Sequence, residues 1–300
     1  MRSFAIPLLA LLTASPVLAS ENGTQHYPVG INTVTAGNLP PSGRLEYFNY
    51  VQDASMTSLN EPDGPTPAPK FKLDVLTSAS RLLYSWPGLT VAGLHVSSGV
   101  VIPIVHLNVK LAGQNRGAAG IGDIDIQNYL SGSTIDKKLF YFVGLDVTPP
   151  TGHYIKNALV NAGNNYYTLT PNAGITWMPS EAWEVTGSIA AEFNTINRAT
   201  HYRSGTDVDV DYAITYRPLT RVRAFGVGMQ GYIFKQLSDD LSHGIAVGVG
   251  GNRGQEFAIG PQVRYDTGAG GLVFKYQHLF SVRNRPSGDR VWIQFAAPLF

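Results

Sequence analysis

A histidine and a serine two residues apart on an extended chain present both side chains to one face, where an imidazole can take a hydroxyl proton. His95 and Ser97 have that spacing. Leu94, Val96, Val100, Ile102 and Ile104 form the opposite, apolar face of the same run, so a lipid substrate would lie away from the pair. His153, His201 and His243 fall between apolar runs without the spacing of zinc ligands. Gly120, Ile121 and Gly122, and the glycines of 247–254, have no following helix to complete a phosphate cradle. The expectation is therefore no catalytic residue, no metal and no cofactor, with outer-membrane lipid hydrolysis by His95 and Ser97 as the enzyme alternative.

The elements that must position any site are strands. In 205–217, Val208, Val210, Tyr212, Ile214 and Tyr216 alternate with Asp207, Asp209, Asp211, Ala213 and Thr215, and only a period of two sorts them onto separate faces. The same alternation recurs in 165–178, 181–195, 254–266 and 270–282. Twelve strands are predicted, near 43–52, 69–86, 89–108, 120–132, 138–148, 165–178, 181–195, 205–217, 221–236, 254–266, 270–282 and 288–299. Tight turns are expected at Pro87 and Gly88, 131–137, Pro179 and Ser180, 218–220 and 266–269. Mostly longer loops are expected at 53–68, 109–119, 149–164, 196–204, 237–253 and 283–287. Long strands with short turns on one rim and long loops on the other predict an all-β, transmembrane antiparallel barrel with both termini on the short-turn side.

Composition agrees. Charged residues are only 14%, glycines number 32 and tyrosines 15, and there is no cysteine, so neither disulfides nor thiolate chemistry organises the chain. No apolar run beyond the N-terminus approaches the roughly 20 residues of a membrane helix. With 22 basic and 21 acidic residues, no net field draws in nucleic acid. Arg2, the apolar run from Phe4 to Leu12 and the small residue Ala19 read as a signal peptide over 1–19, cleaved on export. Residues 20–42, rich in Gly, Pro and Asn, then precede the barrel of 43–300 as a lumenal plug or a periplasmic tail.

If the apolar faces meet lipid, the inward set carries Tyr129, Phe140, Phe142, Tyr166, Tyr232, Phe234 and Trp292, with Arg264 and Lys275. These aromatics suit an apolar ligand stacking along a path, or fill the lumen. Inward acids on the middle strands and inward bases on the last three form either cross-links or a charged lining. Trp177, Trp183, Tyr265 and Phe295 fall at strand ends where an aromatic girdle is expected.

Several stretches carry a likeness in sequence order: Glu21 to Gly23 with His26 to Gly30, Gly120 to Asp123, Pro150 to Gly152, Ala258 to Gln262, Lys275 to His278 and Asn284 to Arg290. On these the chain resembles the outer-membrane proteins named for the meta-pathway of phenol degradation. The resemblance implies a barrel in the bacterial outer membrane and uptake of small hydrophobic, including aromatic, compounds, in the manner of long-chain fatty acid transporters. The partners expected are outer-membrane lipid, the barrel assembly machinery and a small hydrophobic solute. A structural or adhesive barrel without transport is the alternative.

Overall fold

A computed structural model describes residues 21, 25–61, 64–65, 71–218, 224–267 and 270–300. The expected signal peptide, 1–19, lies outside them, as do parts of the connections at 62–70, 219–223 and 268–269. The main strands are β1 (Leu45–Glu61), β2 (Lys72–Val91), β3 (Leu94–Leu111), β4 (Gln114–Ile121), β5 (Asp125–Ser133), β6 (Leu139–Thr148), β7 (Thr168–Ser180), β8 (Trp183–Asn194), β9 (Asp207–Tyr216), β10 (Phe225–Gln236), β11 (Gln255–Asp266), β12 (Gly271–Arg283) and β13 (Pro286–Pro298). Each pairs antiparallel with its sequence neighbour, except that β5 pairs with the lower part of β3, and β13 returns to pair with β1, for instance Gln52 opposite Trp292. Counting β4, which pairs with β3 alone, as an extension above β5, the wall is a ring of twelve strands closed by the pairing of β13 with β1.

The period of two sorts the side chains as expected. Ile126, Val143, Ile175, Ile189, Ile214, Val263, Phe274 and Ile293 point out and are exposed, while Asp207, Asp209 and Asp211 are buried inside. Turned to lipid near the midplane, each acid would be destabilising, though by less than the ~2–4 kcal/mol of an arginine or lysine there. Trp177, Trp183, Tyr265 and Phe295 are exposed at the short-turn ends of their strands.

Several boundaries differ from the expectation. Pro87 and Gly88 do not turn the chain: β2 runs through them, a bulge absorbs the proline between Ser85 and Thr90, and the reversal falls at Ala92 and Gly93, both at positive φ (50° and 80°). Two successive left-handed residues match the twist of a two-residue hairpin, and glycine takes the second at little steric cost. Ala112 and Gly113 (51° and 80°) repeat the device at the other rim, so 109–119 is not a loop but a hairpin of β3 and β4. Asn284 and Arg285 alone join β12 to β13, where a longer connection was expected.

Between β4 and β5 the wall is interrupted. The register passes from Ile104 opposite Ile121 to Val101 opposite Asp125, an extra residue that bulges the strand at 122–124 and turns Asp123 inward. Beside β4 the chain of 149–167 folds in: the N–H of His153 donates to the Ile121 carbonyl (3.0 Å), and Gly152 lies so close to Gly163 that a Cβ on Gly163 would sit 2.7 Å from the Gly152 backbone.

The N-terminal segment runs the length of the lumen. The Glu21 N–H meets Ser204 Oγ in the connection between β8 and β9, at the long-loop rim, and Ser85 Oγ holds the Pro40 carbonyl near the opposite rim. The C-terminus does sit on the short-turn side, where the Phe300 carbonyl accepts from the Leu45 N–H. The expectation that both ends share that rim fails for residue 21, because the wall supplies acceptors for this segment's backbone along the whole descent. An irregular segment has no partners of its own for its N–H groups.

Candidate functional site: a cavity between the N-terminal segment and the barrel wall

Along that descent the acidic residues grip the backbone. The Tyr27 N–H donates to Glu192, the N–H groups of Gly30 and Asn32 to the two oxygens of Asp211 (2.7 and 2.6 Å), and Thr35 N–H to Glu184 (3.0 Å). Lys275 Nζ answers from β12, donating to the carbonyls of Gly30 and Ile31 and to Thr33 Oγ1. Ala36 and Gly37 reach the threonines Thr186 and Thr176. Hydrogen bonds to charged partners are worth about 1.5–3 kcal/mol each, so the wall's charge serves first to fix this segment. Cross-links inside the wall also form: Glu184 takes Arg217 and Arg264, and Glu256 takes Arg285 and Arg290.

At the outer end the segment meets the bulge. His26 lies between Asp123 Oδ2 (2.9 Å, from Nε2) and Thr168 Oγ1 (2.7 Å, from Nδ1), with the Tyr166 ring edge-on at 5.0 Å. Asp123 also accepts the backbone N–H of Gly152 and of Asn164. Burial pushes its carboxyl up, but the bonds from His26 and from those two N–H groups outweigh it and hold the group below its ordinary value of 3.8.

The segment fills one side of the lumen only. Opposite it, a cavity of about 330 Å³ opens against β1, β2, β3, β5 and β6. One wall is apolar: Leu73, Val75, Ala79, Val101, Val105 and Leu107 face inward. The other carries Arg81, Asp125, Gln127 and Asp146, and the segment itself adds Val29, Ile31 and Leu39.

Of the residues predicted for a ligand path, Tyr129, Phe142 and Trp292 line this cavity. Tyr129 and Phe142 meet edge-on at 5.1 Å, and Trp292 donates to Gln277 Oε1 (2.8 Å). The others point inward but pack elsewhere. Tyr232 and Phe234 form a core cluster with Val29, Tyr166 faces His26, the Phe140 backbone backs Gly37, Arg264 pairs with Glu184 and Asp266, and Lys275 holds the segment. His95 is exposed near the short-turn rim, and Ser97 is buried with its hydroxyl on Ser85 Oγ (2.6 Å), so the two do not form a pair.

Sequence reasoning missed the apolar wall and Arg81. Both faces of β2 and β3 carry apolar residues, Leu76, Leu82, Ile102 and Ile104 outside against Leu73, Val75, Val101 and Val105 inside, which blurs the alternation. The odd positions 73 to 85 nevertheless share one face, and that phase contains Arg81.

A closed β-barrel with an apolar exterior and charges turned inward is an outer-membrane barrel. The family model described as "Putative MetA-pathway of phenol degradation" matches residues 57–295, and the chain belongs to that family. Among solved structures it is similar to an outer membrane channel from Pseudomonas putida F1, with a TM-score of 0.77 at 15% identity over 88% of this chain and 98% of that one. It is also similar to the β domain of the Bordetella autotransporter BrkA, with a TM-score of 0.50 at 8% identity over 85% of this chain and 99% of that one. At these identities the likeness is of fold. No curated protein matches the chain.

Proposed function

We propose that this barrel is a passive outer-membrane channel for small hydrophobic compounds, aromatic ones included, which pass through the cavity between the N-terminal segment and strands β1 to β3. The observation that carries the reading is the inward apolar wall of Leu73, Val75, Val101, Val105 and Leu107. A lumen built to conduct ions has no use for such a surface, whereas an apolar solute gains about 25 cal/mol for each Å² it removes from water there. Tyr129, Phe142 and Trp292 add ring faces and edges to the same space. The gripped N-terminal segment acts as a plug that closes the remaining, polar half of the lumen. The family's link to phenol degradation and the solved channel of the same fold support the assignment.

The test is uptake by cells with an intact lipopolysaccharide leaflet, which apolar solutes cross slowly by themselves. Cells making the barrel should take up a labelled alkylbenzene several-fold faster than cells without it, with little change for a disaccharide. Equal rates with and without the barrel favour the structural or adhesive alternative.

A further inference from the structure

Arg81 and Asp146, in the polar wall of the cavity, are only partly engaged by the protein. Arg81 has five N–H donors. Its Nε donates to Gln127 Oε1 (2.7 Å) and its Nη1 to Tyr50 Oη (3.4 Å). The guanidinium lies over the rings of Phe48 (5.2 Å) and Tyr129 (5.6 Å), and Arg81 forms no ion pair among the described residues. Asp146 is 4% exposed, and its Oδ1 has no hydrogen-bond partner among the described residues. Gln127 stands between them: it is bonded to Arg81 and lies opposite Asp146 in the ladder of β5 and β6. All three line the cavity.

A buried acceptor without a partner costs about 1–3 kcal/mol, which a ligand can recover by donating to it. The charges restrict what that ligand is. An anionic head drawn to Arg81 would also face Asp146 and Asp125, whose oxygens are already taken by Gln127 (2.8 Å) and Thr148 (3.0 Å). A cationic head drawn to Asp146 would also face Arg81. A neutral hydroxyl accepts from the guanidinium or donates to the carboxylate without either repulsion, while the body of the molecule lies on Val75, Val101 and Val105.

We infer that Arg81 and Asp146, on either side of Gln127, form a head-group site that selects neutral hydroxylated apolar compounds over their charged or purely apolar analogues. This rests on the cavity being the solute's path. Trp292 lines the cavity, so quenching that is present in the wild type and absent in W292F reports its occupancy. The probes are 4-bromophenol, bromobenzene, 4-bromobenzoate and 4-bromobenzylammonium, added at neutral pH to the purified full chain.

The expected result is binding of 4-bromophenol about tenfold tighter than bromobenzene, the factor that ~1.4 kcal/mol of hydrogen bonding gives. R81M and D146L should each remove most of that preference and leave bromobenzene unchanged, with folding checked by heat-modifiable gel mobility. Should either fail to fold, R81K and D146N replace them and should reduce the preference. Bromobenzene binding as tightly as 4-bromophenol, or a charged probe binding tightest, overturns the head-group site alone. Absence of Trp292 quenching by every probe overturns both the site and the cavity reading.

Discussion

Nε2 of His26 lies 2.9 Å from Oδ2 of Asp123, and this contact ties the outer end of the N-terminal segment to the bulge that breaks the barrel wall. The same carboxylate receives the N–H groups of Gly152 and Asn164, so one side chain joins the segment, the wall and the infolded 149–167 connection. Removing the imidazole should free the segment without disturbing the ladder. H26A is expected to keep heat-modifiable mobility while raising protease sensitivity near residue 25, as mass spectrometry of the digest would show.

The pH dependence follows from the lowered pKa of Asp123. A carboxyl held below its unfolded value contributes stability that is fully present above that value and is lost as pH falls through the folded one. The wild type should therefore lose an increment of thermal stability below about pH 4 that D123N lacks at every pH. Melting followed by far-ultraviolet circular dichroism checks this. Parallel wild-type and D123N curves between pH 7 and pH 3 would contradict it.

Asp211 grips the segment at its middle through Gly30 and Asn32. D211A leaves the N–H groups of Gly30 and Asn32 without their acceptor, a loss of about 1–3 kcal/mol per unsatisfied group. Single-channel recording should show the variant flickering to a larger conductance, because the strands that make the wall are untouched. Deletion of residues 25–40 should make the larger state permanent.

Inward aromatics divide by position. Y129A and F142A should slow uptake of an apolar solute, because they remove ring surface from the cavity. Y232A and F234A should act instead on stability, at about 3–5 kcal/mol for a buried ring, since those side chains pack on Val29 and not on the cavity. Uptake rates and melting temperatures of the four variants separate the two roles.

Much of this was legible in the sequence. The strict alternation of 207–216 placed Asp207, Asp209 and Asp211 inward, because lipid tolerates no other phase. Turn chemistry was less reliable: Pro87 and Gly88 are the stronger turn dipeptide by type, yet Ala92 and Gly93 make the turn, since the backbone dihedrals of a two-residue hairpin outweigh the missing N–H of a proline that a bulge can hold. The cavity was not legible. Its apolar wall lies on strands greasy on both faces, and its shape depends on which side of the lumen the N-terminal segment takes, which only the three-dimensional placement of Asp211, Glu184 and Lys275 decides.

The measurement that tests the channel most directly uses the absence of cysteine from the chain. V75C places one thiol on the apolar wall of the cavity, and S78C places one on the outer face, where Ser78 meets Asn49. Each is alkylated with a bulky maleimide in detergent and returned to vesicles with a lipopolysaccharide outer leaflet. Alkylated V75C should lose most of its uptake of a labelled alkylbenzene while alkylated S78C keeps it; equal uptake by the two would show that apolar solutes do not travel through this cavity.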